Sequence, residues 1–99
     1  MAVNTETALS LVKARLNRLA SDTTLDTYFQ ARIGAVIADL TATGIQLDDS
    51  QQDLMLVVDM AVWDYQNRDG GGGMPEWLRL KRRERWIQQH AREAAGDDS

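Results

Sequence analysis

Ninety-nine residues leave room for one small domain with a single core. With 43% hydrophobic and 26% charged residues, the composition is that of an ordinary globular chain, not a disordered or fibrous one. Eleven Lys+Arg against fifteen Asp+Glu give a net charge of −4, which excludes a wholesale basic coat for nucleic acid but allows a local basic face. The absence of cysteine removes disulfides, thiol chemistry and Cys-based metal centres. One histidine, His90, is too few for a multi-His metal site or a nucleophile–base pair, so neither catalytic residues nor a cofactor or metal is expected. The first ten residues lack the basic start and apolar core of a signal peptide. The longest apolar run, Leu54 to Trp63, is broken by Asp59 and falls far short of the roughly 20 residues of a membrane span. The expected setting is a cytoplasm, with no membrane partner.

The chain reads as an all-α bundle of four helices. The first spans about Thr7 to Leu19, capped by Asn4 or Thr5, with Leu9, Val12, Leu16 and Leu19 on one face. Ser21 to Thr24 is a polar break before a second helix from Leu25 to about Thr43, whose apolar stripe is Leu25, Phe29, Ile33, Val36, Ile37 and Leu40. Gly44 stands where a helix end requires a left-handed residue, and Ile45-Gln46-Leu47 forms a short link. Ser50 to Asp53 has the spacing of a capping box, with Asp in place of Glu. It opens a third helix to about Asn67, apolar around nearly its whole circumference and therefore central to the bundle. On that helix Asp59 and Asp64 are expected to face solvent or a partner. Gly70 to Gly73 cannot hold a helix and reads as a flexible hinge, after which Pro75 starts a fourth, mobile helix to about Ala95. Residues 1–95 then form one helical domain and residues 96–99 a loose acidic tail.

Charge divides along the same line. Residues 1–74 carry five basic and ten acidic side chains, a net of −5, whereas residues 75–95 carry six and three, a net of +3. A basic helix hinged to an acidic body calls for an electrostatic partner in the same chain or another. On this helix Trp77, Leu80, Ile87, Ala91 and Ala94 share one side, while Leu78 and Trp86 fall among the arginines. Either the first group packs on the bundle with arginine stems covering the second, or the second group meets another subunit, giving Trp77, Leu78, Arg79, Arg82, Arg83, Arg85 and Trp86 as a candidate interface. A solvated helix face with internal Glu–Arg pairs is the simplest account of the basic run itself.

Other motifs carry no chemistry. Gly70 to Gly73 is followed by no Gly-Lys-Ser/Thr and is no phosphate loop. Asp48, Asp49 and Asp53 lack the spaced ligands and central glycine of a calcium loop, and helix capping explains them better. His90, on a charged face, reads as a solvated surface residue.

Taken in order, the segments resemble the head–tail connector proteins of tailed bacteriophages, also called neck adaptors or head-completion proteins. The resemblance spans roughly residues 9–90. It rests on Leu25-Asp26 and Arg32-Ile33 in the second helix, Gly44-Ile45 closing it, the run Val57 to Tyr65, Asn67-Arg68-Asp69, the glycine loop, Met74-Pro75-Glu76-Trp77-Leu78-Arg79, and Arg82 to Trp86. The glycine run is longer than the turn usual in that family. The resemblance implies a structural virion protein, made in the host bacterial cytoplasm and located at the neck. Such proteins form a ring, usually twelve-fold, beneath the portal protein after DNA packaging. The ring extends the DNA channel, passes DNA without sequence-specific binding, and gives a stopper or tail-completion protein a docking surface. An acidic channel wall would repel phosphates, and Asp48, Asp49 and Asp53 are its candidate residues. The alternatives are a small DNA-binding regulator reading duplex with the helix 75–95, against which the glycine joint replaces the tight turn of a helix-turn-helix, and a generic helical interaction partner such as an antitoxin or chaperone subunit.

Overall fold

The computed structural model describes residues 2–68, 70 and 73–97, with side chains through residue 93. Four helices follow one another: α1 (Thr5–Arg15), α2 (Asp26–Ala42), α3 (Gln51–Gln66) and α4 (Glu76–Asp97), with no strand among the described residues. The fold is the small all-α bundle expected, and none of its described helices is long and apolar enough to cross a membrane.

Helix ends follow local chemistry. Asn4 accepts a hydrogen bond from the Thr7 amide at 3.0 Å and caps α1. α1 stops at Arg15, about a turn earlier than the apolar spacing predicts, because Asn17 adopts φ 59°. The Arg18 amide then donates to the Lys13 carbonyl and the Asn17 amide to Ala14, a Schellman closure. Leu19, assigned to the helix face by its spacing, lies beyond that closure and is 74% exposed. α2 ends the same way. Gly44 has φ +99°, the Ile45 amide reaches Leu40 and the Gly44 amide Thr41, and Ile45 and Leu40 are both buried. α3 is the central element, burying Leu56 to Val62 continuously.

α1, α2 and α3 pack on one another around Ala8, Val12, Phe29, Ile33, Val36, Leu40 and the α3 residues. Among the described residues, α4 touches α3 alone of the helices. Pro75 stands just before α4, and its carbonyl accepts from the Leu78 and Arg79 amides. Met74 beside it packs on the core. α4 runs to Asp97, so Gly96 and Asp97 continue the helix instead of opening a loose tail, and Asp98 and Ser99 lie outside the described residues. Of the glycine hinge, Gly70 has φ +85°, and Gly71 and Gly72 lie outside the described residues.

Gly44→Ala forces a Cβ into the left-handed region and is expected to lower the unfolding free energy by about 1–2 kcal/mol, read from urea denaturation. Val58→Asp, placing a charge at a site with no exposure, is expected to abolish the cooperative melting transition.

Candidate interaction surface on the fourth helix

The seam between α4 and the body is polar at its centre. Leu78, Arg85 and Gln89 point inward, at 0%, 1% and 5% exposure. Their spacing of seven and four residues keeps them within about 20° of one direction on the helix. Arg85 donates from Nε to Asp53 Oδ1 at 2.6 Å and from Nη2 to Asp53 Oδ2 at 3.2 Å, a forked ion pair with no solvent access. The same Nη2 donates to the Gln46 carbonyl at 2.7 Å, and Nη1 to Gln89 Oε1 at 3.3 Å. Gln89 Oε1 also accepts from the Gln46 amide at 3.1 Å. Asp53 Oδ2 accepts from the Asp48 amide at 2.8 Å, Asp48 Oδ1 accepts from the Ser50 amide at 2.9 Å, and Ser50 Oγ accepts from the Asp53 amide at 3.2 Å. Ser50 thus caps α3, while the Asp53 carboxylate, instead of closing the box on Ser50, reaches past it to Asp48 and across to Arg85. Hydrogen bonding by Ser50, together with the nearby Arg85 charge, holds the Asp48 carboxyl down at about 2. The Asp53 carboxylate in turn pushes the Arg85 guanidinium further up.

Other contacts fasten α4 on either side. Lys81 donates to Asp59 Oδ2 at 2.6 Å, and Arg15 from α1 donates to Asp59 Oδ1 at 2.6 Å. Asp59 is therefore buried and shared by two cations of its own chain, not turned to solvent. Asp64, half-buried, accepts from Arg32 at 2.9 Å. The Trp86 indole N–H donates to the Thr43 carbonyl at 3.0 Å, and its ring lies against the His90 ring, centroids 3.9 Å apart and planes tilted by 46°. His90 remains exposed, with Nδ1 3.6 Å from Glu93.

This seam corrects several expectations. The stripe Trp77, Leu80 and Ile87 does not pack on the bundle: these residues are 51%, 48% and 50% exposed, and Leu80 and Ile87 lie almost opposite the seam. Leu78 and Arg85, placed in a subunit interface by their position among the arginines, are buried within the chain and unavailable to a partner. Asp53 cannot line a channel, because its carboxylate is enclosed with Arg85. Asp48 is half-buried and engaged, and Asp49 alone of the three is exposed. Trp77, Arg79, Arg83 and Trp86 are exposed and Arg82 is half-buried. The internal Glu–Arg pairs expected along the basic run do not form: among the described residues Arg79, Arg82 and Arg83 meet no carboxylate, and the helix's one internal ion contact is His90 with Glu93.

Hydrophobic periodicity pointed to the wrong face because the inward face carries one leucine, one arginine and one glutamine. Asp53 at the third position of α3 was legible as a cap, but nothing in the sequence selects Arg85 from the five arginines of the helix as its partner.

A groove of about 460 Å³ runs between the residue 43–45 link and the first turns of α4, lined by Thr43, Ile45, Arg79, Leu80, Arg82, Arg83 and Trp86. No cluster of three or more metal-ligating side chains occurs among the described residues. No protein-family model, curated protein or solved structure matches the chain.

Two consequences concern the seam. Arg85→Met strands the Asp53 carboxylate in a dry site and is expected to cost about 3–5 kcal/mol in urea unfolding, part of which the double variant Arg85→Met/Asp53→Asn restores. Asp48, depressed in the folded state, contributes stability that is complete above its unfolded pKa of 3.8 and fades as pH falls toward about 2. Thermal melts across that window should show Asp48→Asn less acid-sensitive than the parent chain.

Proposed function

We propose that this chain is a structural virion protein, a head–tail connector of a tailed bacteriophage. In this reading it assembles as a dodecameric ring beneath the portal protein after DNA packaging, extends the DNA channel and presents a platform to a stopper or tail-completion protein. The supporting observation is the outward stripe Trp77, Leu80 and Ile87, each about half exposed on a helix that, among the described residues, packs on α3 alone. Three large apolar side chains left half in water along one side of a helix are the kind of surface that association covers. The stripe and its flanking arginines lie on one side of an acidic body, so the surface is not self-complementary. A contact between unlike patches is head-to-tail, and it closes into a ring when the rotation between neighbours permits. The segment resemblance in residues 9–90 gives this assembly its biological setting, at the neck of the virion.

Arg79, Arg82 and Arg83, without carboxylate partners among the described residues, favour a second reading, a small regulator that binds duplex DNA through α4. The net charge of −4 weighs against it.

Native mass spectrometry over a concentration series, alone and with a portal protein, separates these. A closed ring supports the connector, whereas a monomer under both conditions, with duplex affinity that falls steeply with salt, supports the regulator. Trp77→Glu/Ile87→Glu is expected to abolish ring formation and leave the melting temperature within about 2 °C of the parent, since neither side chain is in the core.

A further inference from the structure

We infer that the groove beside α4 is a docking site for an acidic peptide segment of another protein, its carboxylates taken by Arg79 and Arg83 and one bulky apolar side chain seated over Ile45 between Leu80 and Trp86. This goes beyond the assembly reading and rests on the arginine-bearing flank of the helix, which meets the outward stripe only at Leu80.

The charge pattern is the first ground. Lys13, Arg15, Arg18, Arg32, Lys81 and Arg85 each meet a carboxylate of their own chain. In a chain where acids outnumber bases fifteen to eleven, three neighbouring arginines nonetheless stand apart from every described carboxylate. Arg79 and Arg83 are four residues apart and Arg82 lies between them, so the like charges repel one another on the free helix. A carboxylate placed among them removes that repulsion and accepts forked guanidinium hydrogen bonds.

The shape of the groove is the second ground. Its volume of about 460 Å³ falls within the ~300–1,000 Å³ of small-ligand clefts. It has an apolar floor in Ile45 and an apolar wall in Leu80 and Trp86. The Trp86 indole is already held by its hydrogen bond to Thr43 and by its tilted contact with the His90 ring. The wall is therefore preformed, and little ordering cost falls on the bound state. A bare phosphate or a polyphosphate chain would leave this apolar floor and wall unused.

The occupant is not a second copy. The exposed large hydrophobics of the described surface are Leu19, Tyr28, Trp77, Leu80, Trp86 and Ile87. The acids nearest Leu19 and Tyr28 in sequence, Asp22 and Asp26, are already paired with Arg18 and Lys13. Of the exposed, unpaired acids, Glu6, Asp39 and Asp49 have no exposed large apolar neighbour in sequence, and Glu76 and Glu84, which do, lie on α4 among the same arginines, so a second copy offering them would bring its own positive charges into the groove. An α-helix rises 1.5 Å per residue, so Asp97 of the same chain lies about 21 Å beyond Arg83 along α4 and cannot fold back into the groove.

The test is a titration of the full-length ¹⁵N-labelled chain with the blocked peptide Asp-Asp-Leu-Glu-Asp, followed at the Trp86 indole N–H. The inference expects a saturable shift of that signal, confined to Thr43–Ile45 and Arg79–Trp86. It further expects at least a tenfold loss of affinity in Arg79→Glu/Arg83→Glu, and a weaker complex when the peptide leucine is replaced by serine. Both arginines are exposed, and an unchanged melting curve verifies that the variant is folded. An unmoved indole signal, or equal binding by the variant, overturns the inference. So does a short DNA duplex giving the same shifts with tighter, salt-dependent binding, which would make this a nucleic-acid surface. Concentration-dependent shifts at the groove without peptide overturn it as well, since a second copy would then be the occupant. Ring formation is read separately through Trp77 and Ile87, so either proposal can fail while the other stands.

Discussion

The buried pair between Arg85 and Asp53 decides how the fourth helix sits, and with it what the protein shows to the outside. Removing two charges from water costs several kcal/mol per ion, and such a pair persists only when its remaining donors and acceptors are satisfied. Here they are: the guanidinium also serves the Gln46 carbonyl and Gln89, and the carboxylate also serves the Asp48 amide. The pair joins the last helix to the start of α3 and to the link just before it, 32 and 39 residues earlier in the chain. Its value lies in register more than in net stability.

That register is a choice against a real competitor. Turning α4 by half a revolution would bury Leu80 and Ile87 and gain roughly 1.5–3 kcal/mol for each side chain fully enclosed. It would also expose Leu78, a loss of the same size, and leave Asp53 as an unpaired charge in a dry pocket, a penalty of about 3–5 kcal/mol. The polar seam wins, and the apolar stripe is left outside. The exposed apolar stripe thus follows from an internal electrostatic constraint: the body accepts one side of the helix, and the other side stays in water.

The same logic sorts the basic residues. Cations that reach α1, α2 or α3 carboxylates are consumed in holding the bundle together, as Lys81 and Arg15 are on Asp59. Arg79, Arg82 and Arg83 lie on the flank where the body offers no carboxylate, so their charge is directed outward. One helix therefore carries three surfaces side by side: an inward seam, an outward apolar stripe proposed for subunit contacts, and a cationic flank proposed for an acidic segment.

By itself the sequence determined the four helices, the central place of α3, the left-handed stop at Gly44 and the cap at Ser50, because each depends on periodicity or on hydrogen bonds within a few residues. The early stop of α1 at Asn17 was also local, an asparagine in the left-handed position just past an apolar stripe. Only the tertiary structure decided which face of α4 turns inward, that Asp53 and Asp59 are enclosed ion-pair members, and which arginines remain outside. Periodicity weighs apolar side chains alone, and so it favoured Trp77, Leu80 and Ile87 over a face whose inward residues are a leucine, an arginine and a glutamine. A buried ion pair between residues 32 positions apart has no sequence period, and it comes into being only when α3, the link and α4 are brought together.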